Sequence, residues 1–453
     1  MVMKQDFYVY RLAESIKTTS HIDPELFVRF GVKRGLRNED HSGVLVGLTS
    51  IGDVVGYERL PEGDLKAIPG KLIYRGIDVE ELVHGLQADK RFGFEETVFL
   101  LLAGYLPPRA DFEIFRKLLN NNMALEQKTK MNILDLGGTN IMNILARSVL
   151  ELYTFDEDPD NISRENLMRQ SIELVARFPA IIAYAYNIIR HASQDRSLHI
   201  RHPQEDLSFA ENFLYMLNGN FTELEARILD LALVLHAEHG GGNNSTFTVR
   251  VTSSSETDTY SSIAAAIGSL KGPLHGGANL AVMEMFNHLK SGVIDKWTSV
   301  EEIDAYIMKI LRKEVYNRTG LIYGIGHAVY TISDPRALLL KEMARELASE
   351  KNRESEFAFL ELLEERAIKC FMEFKGDKTG KQVCANVDFY SGFVYEMIGL
   401  PQEVFTPLFA MSRIAGWCAH RIEELNFEAR RIIRPAYKNV GQRKSYMPID
   451  QRQ

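Results

Sequence analysis

The chain has 453 residues, of which 45% are hydrophobic and 25% charged, a composition typical of a globular protein with a large core. Its formal net charge of −8 excludes a broad basic surface for nucleic acid, and its longest apolar stretches, such as 228–235, are too short to span a membrane. Three scattered cysteines without a CxxC pair argue against a disulfide framework and a structural zinc site. These features predict a cytoplasmic protein that binds neither nucleic acid nor membrane.

Helical periodicity dominates the chain from beginning to end. The first 40 residues are charged and only weakly periodic, so we expect an arm, or a helix that packs only on a partner. Short strands are expected at 44–57 and 70–75. Further along, apolar residues at helical spacing predict helices at about 94–103, 141–153, 165–191, 356–374 and 403–424.

A capping box starts another predicted helix in the middle of the chain. Thr222 and Glu225 have the spacing in which each side chain accepts the other's backbone N–H. The apolar residues that follow predict a helix that runs through His236 and His239. The glycines that begin at Gly240 should end it.

Two further helix starts are visible, and one segment departs from the helical pattern. Ser299 with Glu302 forms a second capping box, and Asp334-Pro335 pairs an N-cap with a proline at the first helical position. Residues 246–252 alternate like a strand, although their neighbours are helical. Because no alternation of strands and helices appears, the sequence predicts an all-α, predominantly helical fold rather than a doubly wound sheet.

The histidines are the most informative side chains. Three of them stand beside glycine: His239 in HAEHGGG, His275 in PLHGGAN and His327 in GIGHAVY. Glycine next to a polar side chain lets backbone and substrate approach closely, which a histidine that only fills a core does not need. One such histidine alone is more often a buried, hydrogen-bonded residue. Three together indicate a functional site.

Charged residues in apolar surroundings add to this site. Asp388 in ANVDFYSG precedes a helix, so it either caps that helix or serves as a carboxylate base in a cleft. Arg413 lies mid-helix among small and apolar residues, where its charge requires an anionic partner. Arg336 follows the N-cap at Asp334, and Arg434 precedes a proline.

Several rival motifs fail on inspection. The run HGGG at 239–242 imitates the oxyanion strand of lipases, but the chain has no GxSxG nucleophile. GDKTGK at 376–381 is one residue short of a phosphate loop, and 324–326 lacks the third glycine of a dinucleotide fingerprint. His236 and His239 could share a metal at i,i+3 spacing, yet a third ligand would have to come from elsewhere. We therefore expect no metal.

Taken together, these motifs resemble the citrate synthase family. The segments that carry the likeness, in the family's order, are LHAEHGGGNNSTFTVR, GSLKGPLHGGAN, GIGHAVYTISDPRA, NVDFYSG and SRIAGW. The resemblance extends from about residue 70 to residue 441 and implies a helical fold with a large and a small domain. It also implies a homodimer or a multiple of it. The implied boundaries are 1–276 for the first part of the large domain (with an amino-terminal arm at 1–40), 277–385 for the small domain and 386–453 for the rest.

The activity that the resemblance implies is that of an acyltransferase of the citrate (Si)-synthase type. Such an enzyme condenses acetyl-CoA with oxaloacetate in the tricarboxylic acid cycle, hydrolyses the citryl-CoA intermediate to citrate and CoA, and needs no cofactor. Asp388 would remove a proton from the acetyl methyl, and His275 would donate to the thioester oxygen. His327 would donate to the ketone of oxaloacetate. One preorganised donor of this kind is worth about 3–4 kcal/mol.

The likeness also assigns the substrate contacts. His239, Arg336 and Arg413 would bind oxaloacetate, whose two carboxylates suit guanidinium groups. Arg434 would reach into the site of the partner subunit. The CoA adenine would lie on a short loop, with contacts at Ile322, Gly324, Ile325 and Gly326.

Other interpretations remain open at this point. A 2-methylcitrate synthase uses propionyl-CoA, and one methylene is worth only about 1–3 kcal/mol in a pocket. Gly240 and Cys384-Ala385 depart from the family pattern, and Cys384, Phe389 and Tyr390 are candidates to set the room for the acyl group. A catalytically silent relative that binds CoA or a partner would have lost at least one catalytic side chain. A metal-dependent hydrolase would need a bound divalent ion.

Overall fold

The computed structural model describes residues 2–38, 42–61, 65–293, 296–375 and 382–452, so the rejected phosphate-loop motif at 376–381 lies outside the described residues. Within these ranges 18 α-helices and three short strands form, and 60% of the residues are helical. The predicted all-α class is therefore confirmed. The chain divides into two compact units, one that ends at Leu48 and one that begins at Thr49.

The first unit is small, and none of its residues whose burial the structure describes is buried. It contains α1 (Val2–Thr19), α2 (Glu25–Arg29) and a 3-10 turn at Arg34–Leu36. No residue of α2 is buried, and apolar side chains of α1 such as Tyr8 and Leu12 are more than half exposed. The helix expected near the amino end is present. Its packing on a partner stays a prediction.

The second unit begins with a three-stranded antiparallel sheet. Strands β1 (Gly52–Arg59), β2 (Leu65–Tyr74) and β3 (Ile77–Asp78) lie in chain order, and Gly52 pairs with Tyr74. The predicted strands at 44–57 and 70–75 overlap this sheet only in part. The pattern of buried residues is irregular in both long strands, so alternation gave little guidance to their ends.

Helices make up most of the remainder of the second unit. Each helix predicted from periodicity agrees with an observed one to within a few residues. Their bounds are α3 (Val79–Ala88), α4 (Phe94–Ala103), α5 (Arg109–Met123), α6 (Gln127–Leu136), α7 (Ile141–Leu152), α8 (Arg164–Gln194), α9 (Phe209–Asn218), α10 (Glu223–His236), α11 (Asn244–Ser253), α12 (Thr259–Lys271), α13 (Ala278–Gly292), α14 (Val300–Leu311), α15 (Pro335–Glu350), α16 (Glu354–Lys375), α17 (Asp388–Met397) and α18 (Phe405–Leu425). Short 3-10 turns lie at Tyr153–Phe155, Gln402–Val404 and Ile449–Gln451.

Polar side chains start these helices much as predicted. The Thr222 hydroxyl accepts the Glu225 N–H at 3.2 Å, and the Glu225 carboxylate accepts the Thr222 N–H at 2.7 Å, which completes the capping box of α10. Ser299 caps α14 by accepting the Glu302 N–H at 3.4 Å. The second box is not closed, because the Glu302 carboxylate pairs with Lys296 instead.

Two long helices form the centre of the core. α8 packs against α5, α7, α9 and α18, and α18 also packs against α4, α10, α11 and α12. By length and composition α8 could cross a membrane, but 78% of its most apolar window is buried inside the protein. This burial is typical of the core helix of a globular fold.

Two predictions about local structure are wrong. Residues 246–252 belong to helix α11, because their buried side chains recur at helical spacing against α12 and α18. α10 ends at His236 and does not continue through His239. The Tyr74 hydroxyl lies 3.0 Å from the carbonyl oxygen of Val234 and 3.2 Å from that of Glu238, so it occupies the place of a further helical turn. The predicted domain boundaries at 276 and 385 stay predictions.

Candidate active site

Two of the glycine-flanked histidines lie against each other. The ring centroids of His239 and His327 are 5.0 Å apart, and Tyr330 stacks on His327 at 4.5 Å. Burial first, and then the charge of Arg336, hold the pKa of His239 well below its ordinary value, so this ring is neutral at pH 7. Its Nε2 has no hydrogen-bond partner within the described part of the chain. A buried imidazole nitrogen in this state is suited to contact a ligand.

The backbone around His327 determines which ring nitrogen carries the proton. The N–H groups of Val329 and Tyr330 point at its Nδ1, at 3.0 and 3.1 Å. A backbone N–H can only donate, so Nδ1 accepts and the ring can donate only through Nε2. The preceding Gly326 has a φ of +98°, a conformation that glycine adopts without strain. His327 is thereby held as an Nε2–H donor.

His275 is fixed in the opposite tautomer. The Ser245 N–H points at its Nε2 at 3.3 Å, and the Oγ of the same serine lies 3.0 Å from that nitrogen. Trp417 holds the serine by donating its indole N–H to Oγ at 3.1 Å. Because Nε2 accepts, the proton sits on Nδ1. Burial, assisted by the charge of Arg413, lowers the pKa of His275 to about 4, so at pH 7 the ring is a neutral donor.

Asp388 is the first residue of α17 and does not cap it. The cap position belongs to Val387, which offers no side-chain hydrogen bond, so the N-cap interpretation of Asp388 is wrong. Burial raises the pKa of Asp388 from 3.8 to about 6, while Arg336 and Arg413 oppose the change. A carboxylate with this pKa is still ionised at pH 7 and is a stronger base than an exposed aspartate.

The segment before Asp388 is bonded to the glycine loop before His327. The Gly326 N–H donates to the Cys384 carbonyl at 2.8 Å, and the Asn386 N–H donates to the Gly324 carbonyl at 2.9 Å. The Asn386 side chain donates to the Gly326 carbonyl at 2.9 Å and accepts the Asp388 N–H at 3.0 Å. This loop contains all four predicted CoA contacts, Ile322, Gly324, Ile325 and Gly326.

The two buried arginines of the site differ in their partners. Arg336 directs Nε and Nη2 onto the carboxylate of Asp334, at 3.0 and 2.7 Å. Arg413 is 0% exposed and donates its Nε–H to the His236 carbonyl at 2.6 Å. The guanidinium lies 4.6 Å over the Phe409 ring, but neither of its Nη nitrogens has a hydrogen-bond partner among the residues that the structure covers. Burial lowers the pKa of Arg413 to about 10, so it stays charged at pH 7, and a buried cation of this kind requires an anion.

Arg434 does not join this cluster within its own chain. Its side chain is exposed in the irregular segment that follows α18. The neighbouring Ile433 N–H is held by the Ser254 Oγ at 3.0 Å, at the end of α11. Ser245, which contacts His275, lies at the opposite end of α11, about 14 Å away at the helical rise per residue.

The structure separates His236 and His239, the two histidines that the metal interpretation required to face one ion. His236 Nε2 is 2.9 Å from the Tyr395 hydroxyl, whereas His239 faces His327, so the two histidines do not share a helix face. Among the described residues, no group of three or more His, Cys, Asp or Glu side chains is arranged to hold a metal ion.

Some functional contacts carry no signal in the sequence. Ser245 and His275 are 30 residues apart, and nothing in their spacing indicates that they touch. The side chain of Tyr390 is directed at other helices, since its hydroxyl donates to Glu364 and Lys341 lies over its ring. The hypothesis that Tyr390 sets the acyl room therefore loses support.

Comparison with known proteins shows which family the chain is similar to. A family model described as citrate synthase, C-terminal domain, matches residues 40–436. A citrate synthase of Deinococcus radiodurans is 38% identical over 389 residues, which are 85% of this chain and 93% of that protein. A 2-methylcitrate synthase of Shewanella oneidensis is 32% identical over 383 residues, or 82% and 88% of the two chains.

A solved structure provides a third comparison. It shows the citrate synthase of the thermophilic archaeon Thermoplasma acidophilum in a ternary complex with carboxymethyl coenzyme A and oxaloacetate. It matches with a TM-score of 0.76 at 28% identity and covers 93% of this chain and 99% of that one. On its sequence and its fold, the chain belongs to the citrate synthase family.

Proposed function

We propose that this protein is a citrate synthase, which condenses acetyl-CoA with oxaloacetate and hydrolyses citryl-CoA to citrate and CoA. The observation that carries the proposal is that the chain holds both a buried carboxylate base and two histidines that are each fixed as a donor through one ring nitrogen. Asp388 has a pKa of about 6, and His275 and His327 each have one ring nitrogen committed as an acceptor. An enolisation followed by an addition to a ketone needs these three groups.

The first step forms a nucleophile at the acetyl methyl. The Asp388 carboxylate takes a methyl proton, and the electron pair of that C–H bond moves toward the thioester oxygen. The Nδ1–H of His275 donates to this oxygen as negative charge develops there. A neutral imidazole is the appropriate donor, because burial and the nearby Arg413 disfavour a second positive charge on His275.

The second step joins the two carbon atoms. The nucleophilic carbon attacks the ketone carbon of oxaloacetate, and the ketone oxygen takes the Nε2 proton of His327. Water then loses a proton to His327 and adds to the thioester carbonyl, the carbon–sulfur bond breaks, and the CoA sulfur leaves with the proton that Asp388 had taken. The residues present supply acid–base groups and charge, so we expect no metal or other cofactor to be required.

Oxaloacetate binding draws on the charged groups of the same site. Its carboxylates would contact Arg336 and the open nitrogens of Arg413, while His239 would contact the ketoacid through its unpartnered Nε2. We place Arg434 of the partner subunit in this site within a homodimer. The exposed position of Arg434 beside Ser254, far from His275 in its own chain, supports this assignment. A cytoplasmic location is part of the same proposal.

Thiol release from acyl-CoA tests the activity. Purified protein should release CoA thiol only when acetyl-CoA and oxaloacetate are both present, with a chelator in the buffer, and Asp388→Ala should abolish the release. A faster reaction with propionyl-CoA would identify a 2-methylcitrate synthase instead. Absence of release with either donor would favour a silent relative, and loss of release on chelation would favour a metal enzyme.

A complementation experiment tests the role of Arg434. Asp388→Ala and Arg434→Ala chains should each be inactive alone. Co-expressed hybrids contain one site with both groups intact, so they should recover up to about a quarter of wild-type activity. If the mixture stays as inactive as its parents, Arg434 does not act across a subunit boundary.

A further inference from the structure

A buried carboxylate, that of Glu238, is hydrogen-bonded to the turn that carries His239. The Glu238 Oε1 accepts the Gly240 N–H at 2.5 Å and lies 2.8 Å from the Nε2 of His420. The side chains of Glu238 and His420 are both 0% exposed. The Oε1 atom of Glu238, the residue before His239, therefore holds the backbone N–H of Gly240, the residue after it.

Arg250 determines which nitrogen of the His420 ring can donate to Glu238. Arg250 directs its Nε and Nη2 at the Nδ1 of His420, at 3.1 and 2.7 Å. An arginine can only donate, so Nδ1 accepts and the N–H at Nε2 faces the carboxylate. Arg250 is itself held by Glu424 at 2.8 Å and by Glu423.

The carboxylate of Glu238 remains ionised despite its burial. Burial alone would raise its pKa, but His420 and the nearby Arg413 outweigh this and hold the pKa below its ordinary value. Its Oε2 has no partner among the residues described and faces α18, where a Cβ at Gly416 would lie 2.3 Å from it. An ionised, fully enclosed group of this kind holds one conformation, because any displacement leaves a buried charge without its hydrogen bonds.

We propose that Glu238 and His420 are positioning residues for oxaloacetate, since they hold the His239 turn in the conformation that binds the substrate. The inference rests on the proposed function, because it concerns the same site. Neither side chain is assigned to touch oxaloacetate. They act through the Gly240 N–H and hence through the orientation of the His239 ring.

The test separates oxaloacetate binding from turnover and from folding. Calorimetry without acyl-CoA should show that His420→Leu, which cannot donate to Glu238, binds oxaloacetate at least tenfold more weakly than wild type. His420→Gln keeps an amide donor and a carbonyl acceptor, so its affinity should stay within threefold of wild type. The KM for acetyl-CoA should be unchanged in both variants.

Asp156→Asn is the matched control. This carboxylate is also buried and accepts from Tyr260 and Gln170, neither of which belongs to the candidate site. This substitution should lower the melting temperature of the protein without weakening its binding of oxaloacetate. If His420→Leu fails to fold, Gly416→Ala places a Cβ 2.3 Å from the Glu238 Oε2 and 2.6 Å from the Ala237 carbonyl oxygen, so it displaces the same turn and should also weaken oxaloacetate binding.

The possible failures are distinguishable. A wild-type protein that neither binds oxaloacetate nor turns it over would overturn the proposed function and this inference with it. An active wild type whose His420→Leu variant binds oxaloacetate as tightly, or whose His420→Gln variant is as weak as His420→Leu, would overturn the positioning role alone.

Discussion

Replacing Asp388, the proposed base, should stabilise the protein while it abolishes turnover. Burial raises the pKa of Asp388 from 3.8 to about 6, so the folded state holds its proton more tightly than the unfolded state does. Above about pH 6 the ionised, buried form therefore costs about 3 kcal/mol of folding free energy. Asp388→Asn removes this cost, and the variant should be more stable than wild type at pH 7.5 by up to that amount.

The pH dependence gives this prediction its sign. Wild type should lose stability relative to Asp388→Asn as the pH rises from about 4 to about 6, and the difference should then stay constant. Thermal unfolding at a series of pH values measures it, and thiol release should fall about tenfold per pH unit below 6 as the base becomes protonated. Asp156→Asn should behave oppositely at pH 7.5, because net hydrogen bonding lowers the pKa of Asp156 against the effect of burial. An Asp388→Asn protein less stable than wild type at pH 7.5 would refute the reasoning.

Three further predictions concern the groups around the base. Ser245→Ala should lower kcat about tenfold at unchanged KM for oxaloacetate, because His275 loses one contact that orients it. Ser412→Ala removes a hydroxyl that donates to the Leu233 carbonyl, and it should leave kcat unchanged. Equal kcat values in the two variants would contradict the role given to Ser245. Arg413→Lys should lower kcat/KM for oxaloacetate at least a hundredfold, about 3 kcal/mol, since one ammonium cannot both bond the His236 carbonyl and present a fork. A tenfold change or less would argue against carboxylate binding there. Gly326→Ala and Gly76→Ala both place a side chain at positive φ in open space and should each cost about 1–2 kcal/mol of stability, but only the former should raise the KM for acetyl-CoA. Equal KM values in steady-state assays would remove the loop from CoA binding.

The sequence predicted most of the helical framework, because local signals determine it. The Thr222–Glu225 capping box and the N-cap at Asp334 act within a few residues, and both are observed. The alternation of Phe247, Val249 and Val251 misled, since the buried residues of this helix recur at helical spacing and include the polar Thr246 and Arg250. The end of α10 depended on Tyr74, a residue some 160 positions away, and no local pattern reports such a contact.

The candidate site was also predictable from the sequence only in part. Glycine neighbours drew attention to His239, His275 and His327, and the structure places His239 against His327. The tautomers of His275 and His327 were beyond sequence reading, because they follow from backbone N–H groups and from Ser245. The protonation of a ring depends on which atoms face it, and those atoms come together only in the folded chain.

The bonds between the glycine loop and the segment before Asp388 restrict how this enzyme could be altered. Two stretches of backbone joined at Gly324, Gly326 and Asn386 behave as one rigid piece, so the base and the loop assigned to CoA cannot be repositioned independently. An insertion or a backbone change that widens the donor pocket from either stretch would also shift the carboxylate relative to the reacting carbon. Engineering toward longer acyl donors should therefore succeed through side chains that other helices contribute, and fail through remodelling of this piece.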